Sequence, residues 1–309
     1  MTSDPCFLPA YEIAARVAAR TLTARAVIDA CLARIAALDG AINAYTHVAA
    51  ERARATADRI DAAVAAGEKP GPLAGVPFSV KNLFDVKGIA TLAGSQINAG
   101  HAPAIHDAFL VERLEQAGAV LVGAVAMGEY AYDFTGENAH YGPSRNPHDL
   151  TRMSGGSSGG SGASVAGGLC ALSLGSDTNG SIRVPSSFCG LFGLKPTYGR
   201  LSRGGTFPFV SSLDHLGPLA RSARDLALAY DTLQAFDAHD PVQSRIAPAP
   251  VPPSASICRA VAGAMPSPGQ RWPCAASPPP CGMKSNRPGM RSRKRWGRNR
   301  CGCAQLDGS

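Results

Sequence analysis

Residues 154–162 read Ser-Gly-Gly-Ser-Ser-Gly-Gly-Ser-Gly, and a chain that keeps nine such residues in its middle has few ways to fold around them. As a linker the tract would separate two bodies. As a phosphate cradle it would need Lys followed by Ser or Thr after its second glycine, and Ser161-Gly162 stands there instead. Gly155-Gly156-Ser157-Ser158-Gly159 does satisfy G-x-S-x-G, the turn that lifts a nucleophilic serine off the end of a strand. That turn needs a strand running into it. The preceding "YGPSRNPHDLTRM" carries Pro143 and Pro147 among polar residues and does not read as a central strand. Against the linker stand the position of the tract between structured elements and the "ASVAGG" that follows it, which reads as the start of a helix.

The flanking sequence supplies those elements. After Thr23, an N-cap candidate, Ile28, Leu32, Ile35 and Leu38 recur at helical spacing. "AERARATADRIDAAVAAG" is rich in helix formers and closes on Gly67. Residues 75–86, "GVPFSVKNLFDV", are short, apolar and β-branched and predict a strand. Residues 107–127 predict a helix, a glycine turn and an apolar strand, and 163–177 repeat that step. Residues 222–233 predict a helix opened by a capping box, Ser222-x-x-Asp225. Helices alternating with short apolar strands predict an α/β domain with a buried sheet.

Charge divides the chain in two. Residues 244–309 hold eleven Lys and Arg against a single acid, Asp307, a net of +10, whereas the preceding 243 residues carry −3. The same segment holds both tryptophans (Trp272, Trp296), eleven of the 24 prolines and five of the nine cysteines. No period of 2 or 3.6 runs through it, so it is expected to be a disordered basic tail, with the look of a GC-rich frame read out of phase. A tail binding RNA or membrane is the competing expectation. Cys301 and Cys303 form C-x-C with no histidine nearby, and Cys6, Cys31, Cys170 and Cys189 are scattered, so no metal site is expected and the four are read as buried thiols. No apolar run approaches the ~18 residues of a membrane span. The N-terminus lacks a signal-peptide pattern, and a cytoplasmic location is expected.

Two further stretches bear on chemistry. "SDTNGSIRVPSS" (176–187) follows an apolar strand, and Gly180 allows a sharp turn just before Ser181. The amides of Thr178, Asn179, Gly180 and Ser181 could converge on an oxyanion. Lys81 closes a strand amid apolar neighbours, where burial favours the neutral amine that can act as a base. Asp177 and Arg183 flank Ser181 and read as braces of the turn. Tyr130, Tyr132 and Phe134 alternate as pocket or core residues. A Ser-His-Asp triad built on His215 and Asp225 is the alternative, but nothing in the spacing selects those two residues.

Taken together, Lys81, "GGSSGGS" and "GSDTNGSIRVPSSFCGLFGLKPTYGR" resemble, in order and spacing, the amidase signature family. The resemblance runs from about Leu8 to Pro241. It is strongest toward carboxybiuret-type amidohydrolases and the A subunit of glutamyl/aspartyl-tRNA amidotransferase, with "EYAYDFTGENAHYGP" leaning to the former. It implies an α/β fold with a mixed central sheet flanked by helices, of which residues 1–243 form the N-terminal part and residues 244–309 the tail, the fold being truncated. It implies a Ser–Ser–Lys triad: Ser181 as nucleophile, Ser157 as bridging serine after a cis Gly156–Ser157 peptide, and Lys81 as base. The oxyanion would sit on the amides of 178–181. The implied activity is hydrolysis of a carboxamide C–N bond in a small-molecule substrate through an acyl-enzyme, without metal or cofactor. A small accessory subunit or a homo-oligomer is the implied partner, and nucleic acid is not. The alternatives are the A subunit of an aminoacyl-tRNA amidotransferase and a non-catalytic fragment with a nucleic-acid-binding tail.

Overall fold

In the computed structural model, residues 4–251 are described. The expectations for 252–309 lie outside the described residues.

The helices are α1 (Ala10–Ala18), α2 (Ala24–Ile42), α3 (Ala50–Ala65), α4 (Phe109–Gln116), α5 (Gly159–Ala166), α6 (Arg183–Phe188) and α7 (Ala223–Leu233). The strands are β1 (Tyr45–Val48), β2 (Pro77–Lys81), β3 (Val120–Val125), β4 (Arg145–Asn146), β5 (Asp149–Met153), β6 (Leu172–Asp177), β7 (Phe192–Gly193) and β8 (His215–Ala220). Six strands form one sheet in the order β1-β3-β2-β6-β8-β7. β2 runs parallel to both β3 and β6, while β1, β8 and β7 pair antiparallel, so the sheet is mixed. Helices cover both faces, which is the α/β architecture that the alternating pattern predicted.

Burial on both faces explains the unbroken apolar runs. Successive residues of β3 point into two different cores. Leu121 joins Ile13, Val17, Leu110, Leu114 and Leu233 from α1, α4 and α7. Val120 and Val122 join Ile28, Leu32 and Ile35 of α2 and Ala163 and Val165 of α5. All residues of β2, β3 and β6 are buried.

Two local expectations change. The strand expected over 75–86 is confined to Pro77–Lys81, because after Lys81 the amides of Leu83 and Phe84 both turn back to its carbonyl. The capping box of α7 is only half made. Ser222 Oγ accepts the Asp225 N–H at 3.0 Å, but the Asp225 carboxylate is taken by the N–H of Tyr11 at 2.9 Å. A strand does precede the Gly/Ser tract: β5 pairs with β4 in an exposed hairpin outside the main sheet.

Candidate active site

The parallel pairing of β2 with β6 brings their C-terminal ends to one side of the sheet, where α/β folds place their ligand crevices. Lys81 is the last residue of β2 and Asp177 the last of β6. Ser181 stands in the turn between β6 and α6, and Ser157 lies two residues before α5.

Lys81 is fully buried. Its Nζ donates to Ser157 Oγ at 2.7 Å and to Ser176 Oγ at 2.9 Å. Burial in the sheet lowers the amine from the ordinary 10.5 to about 7, although Asp133, Asp177 and Asp214 pull the other way. A lysine held at this value is a base near neutral pH. The Gly156–Ser157 peptide is cis. Ser157 and Ser181 are neighbours through the Ser158 N–H, which donates to the Ser181 carbonyl at 3.3 Å. Among the described residues, no hydrogen bond joins the two serine hydroxyls directly.

Asp177 organises the turn that carries Ser181. Its oxygens accept the N–H of Gly180 at 2.7 Å and of Ile182 at 3.1 Å. They also accept the Arg183 guanidinium at 2.9 and 3.0 Å. Burial pushes the Asp177 carboxyl up, but these donors outweigh it and hold the group below its ordinary value. Gly180 adopts φ +125, a region that favours glycine. Its N–H therefore differs from the expectation for an oxyanion site, because it is already given to Asp177. The amides of Thr178, Asn179 and Ser181 donate to no protein group among the described residues.

The Ser-His-Asp alternative is not assembled. His215 Nδ1 faces the carbonyls of Leu213 and Asp177 at 2.6 and 3.2 Å, and Asp225 is engaged with Tyr11 at the start of α1. Tyr132 and Phe134 are exposed rather than core, at 81% and 53%. Tyr130 and Tyr132 stack with Phe207 and Phe209, ring centroids 5.5 and 5.8 Å apart. Phe207 and Phe209, with Leu83, Arg203 and Asp214, wall a cleft of ≈ 300 Å³ that reaches Ser176 beside Lys81. A larger cleft, ≈ 870 Å³, shares Gly204–Pro208 with it, and neither cleft is lined by Lys81, Ser157 or Ser181 themselves. Cys6, Cys31, Cys170 and Cys189 are buried free thiols. Among the described residues no cluster of His, Cys, Asp and Glu could hold a metal ion, and no helix is long and apolar enough to cross a membrane.

Residues 26–260 match the amidase family. The chain belongs to the amidase signature family. It is 61% identical over 239 residues to AtzE, the 1-carboxybiuret hydrolase subunit of Pseudomonas sp. (strain ADP), covering 77% of this chain and 52% of that one. It is 51% identical over 239 residues to the A subunit of glutamyl-tRNA(Gln) amidotransferase from Anaeromyxobacter dehalogenans (strain 2CP-C), covering 77% and 48%. A solved structure described as a vestigial protein complex that reveals the origins of an s-triazine catabolic enzyme superposes with a TM-score of 0.78 at 59% identity, covering 79% and 53%. The chain thus spans about half the length of the amidase signature relatives it matches.

Ser176 and Asp133 were not singled out in the sequence as site residues. Ser176, the first residue of the 176–187 stretch, shares the Lys81 amine with Ser157, a contact from β6 to β2 that the stretch itself does not specify. Asp133 lies in the aromatic stretch that otherwise marked a pocket wall.

Proposed function

We propose that this chain carries the acyl-transfer site of an amidase that hydrolyses a carboxamide C–N bond in a small molecule. The observation that carries the reading is the buried Lys81 Nζ, 2.7 Å from Ser157 Oγ, at the end of the sheet where Ser181 stands in its turn. Neutral Lys81 takes the Ser157 hydroxyl proton as Ser157 takes that of Ser181. The Ser181 alkoxide attacks the amide carbonyl carbon. The oxyanion that forms falls to the free amides of Thr178, Asn179 and Ser181. As the intermediate collapses, the relay returns its proton through Ser157 to the departing nitrogen, which leaves as ammonia or an amine. Water, deprotonated by the same relay, then releases the acid and restores Ser181.

The higher identity to the carboxybiuret hydrolase protein supports hydrolysis over transamidation and a small polar amide as substrate. Residues 1–243 are the site-bearing part of the fold in this reading, and a small accessory subunit or a second copy is the partner. Four free, buried thiols support a reducing, cytoplasmic setting.

The test is covalent labelling by a fluorophosphonate. The parent chain is expected to label at Ser181 and Ser181→Ala to lose the label. A label that persists in Ser181→Ala, or a parent that takes up none, overturns the proposal.

A further inference from the structure

Asp133 anchors its turn with one carboxylate oxygen and leaves the other unused. Its Oδ1 is saturated by the N–H of Thr135, the N–H of Gly136 at 2.8 Å and the Thr135 hydroxyl at 2.9 Å. Its Oδ2 is buried and has no hydrogen-bond partner among the described residues. That oxygen is wedged between Gly128 and Gly156, and a Cβ on either glycine would collide with it. The segment is tied to the Gly/Ser tract, because Gly156 N–H donates to the Phe134 carbonyl at 2.9 Å and Gly155 N–H to that of Thr135 at 3.0 Å. Gly128 N–H in turn donates to the Ser157 carbonyl at 3.2 Å. An unpaired carboxylate oxygen is thereby fixed one residue from Ser157, on which Lys81 sits.

We propose that Asp133 is a positioning residue whose charge, set beside the Gly156–Ser157 peptide, governs the protonation of Lys81. The inference rests on the amidase reading above only for its catalytic meaning. Three carboxylates act on Lys81: Asp133, Asp177 and Asp214. The other two have donors on both oxygens. Asp177 is paired with Arg183 and two amides. Asp214 accepts the Thr178 hydroxyl at 2.5 Å and the amides of Phe209 and Val210 at 2.8 and 2.9 Å. Among the described residues Asp133 alone of the three keeps an oxygen without a donor, and it lies on the segment bonded to the Gly155–Ser157 tract. The remaining charges of its own segment do not face Lys81: Glu129 pairs with His140 at 3.1 Å, and Glu137 is exposed. Ser157 and Ser176, which touch Lys81, are uncharged. Burial alone would leave the amine a weak base. Asp133 returns part of the lost basicity without contacting the proton.

The experiment titrates Lys81 directly, by the nitrogen chemical shift of its side chain, assigned by its loss in Lys81→Met. It is run in the parent, in Asp133→Asn, which keeps an oxygen for the Thr135 and Gly136 donors, and in Asp133→Ala. Circular dichroism checks that each is folded. The Lys81 midpoint is expected to fall by about one pH unit in both variants, the scale of one unscreened charge nearby. The pH at which fluorophosphonate labelling reaches half its limiting rate is expected to fall with it. A midpoint unchanged in a folded variant overturns the role of Asp133, whatever the labelling does. A shifted midpoint in a chain that never labels upholds it while sinking the amidase reading.

Discussion

A lysine enclosed in a sheet gives up its proton readily because the ammonium loses its hydration there, and that loss is also a cost to the fold. Lys81 has its midpoint at about 7 in the folded chain against 10.5 ordinarily. Between these values the unfolded chain binds more protons than the folded one. Stability therefore rises with pH through this window and is lowest, and flat, below about 7. In Lys81→Met that rise should vanish, and the variant should be the more stable at neutral pH, since an apolar chain of similar length suits the site better than a buried amine. Urea midpoints measured across the window decide it, and curves that stay parallel for parent and variant would refute it. At this scale the sequence marked Lys81, Ser157 and Ser181 as candidates, the first and last from a strand end and a glycine turn and all three from the family resemblance, and the structure brings Lys81 and Ser157 into contact. The sequence was silent on Asp133 and Ser176. The free oxygen of Asp133 exists only once residues 128, 133 and 156 have been brought together, and no local pattern encodes that.

The Gly/Ser tract is best understood as an element that must come close to its neighbours. α5 is buried over Gly159–Val165, and a Cβ on Gly160 would lie 2.5 Å from the Ala126 nitrogen and 2.6 Å from the carbonyl oxygens of Ala126 and Ala44. All three are backbone atoms beside the end of β3 and the start of β1 and cannot rotate away. In an exposed helix, Gly→Ala stabilises by about 0.5–1 kcal/mol. Here the overlap should reverse the sign, and Gly160→Ala is expected to destabilise by about 1–3 kcal/mol. A denaturation midpoint at or above that of the parent would show that α5 is free to move off the sheet. Elements with a strong period were legible: α2 begins at Thr23, whose hydroxyl accepts the Ala26 N–H at 3.1 Å, as its position before the apolar stripe implied. β8 was not. Gly217 and Pro218 interrupt it, both poor strand residues. They are tolerated because β8 is held along its whole length by six pairings with β6, while its other neighbour β7 is two residues long. β1 and β7, of four and two residues, exist only through their partners.

Over the whole described body, the first and last elements close on each other around one side chain. Arg221, between β8 and α7, donates to the carbonyls of Val165 at 2.9 Å and Cys170 at 2.8 Å with one guanidinium nitrogen. With the other it reaches Cys6 at 3.0 Å and Leu8 at 3.1 Å. The chain start, the α5–β6 connection and the end of β8 thus share one cation, reinforced where Asp225 takes the Tyr11 N–H. A planar, forked guanidinium can serve two pairs of acceptors in divergent directions, and a lysine ammonium cannot. Removing it leaves four carbonyls to find water or go unpaired, each at a cost of about 1 kcal/mol or more where water is excluded. Arg221→Ala is therefore expected to lose about 3 kcal/mol of stability, and Arg221→Lys to recover only part of it. The loss should be felt at both ends together. Amide exchange at Tyr11, whose N–H bonds to α7, should accelerate in step with exchange in β6, because opening the joint releases both. If Arg221→Ala unfolds within about 0.5 kcal/mol of the parent, or if exchange quickens at the chain start while β6 stays protected, the guanidinium only pins a terminal segment and the closure of the body lies elsewhere.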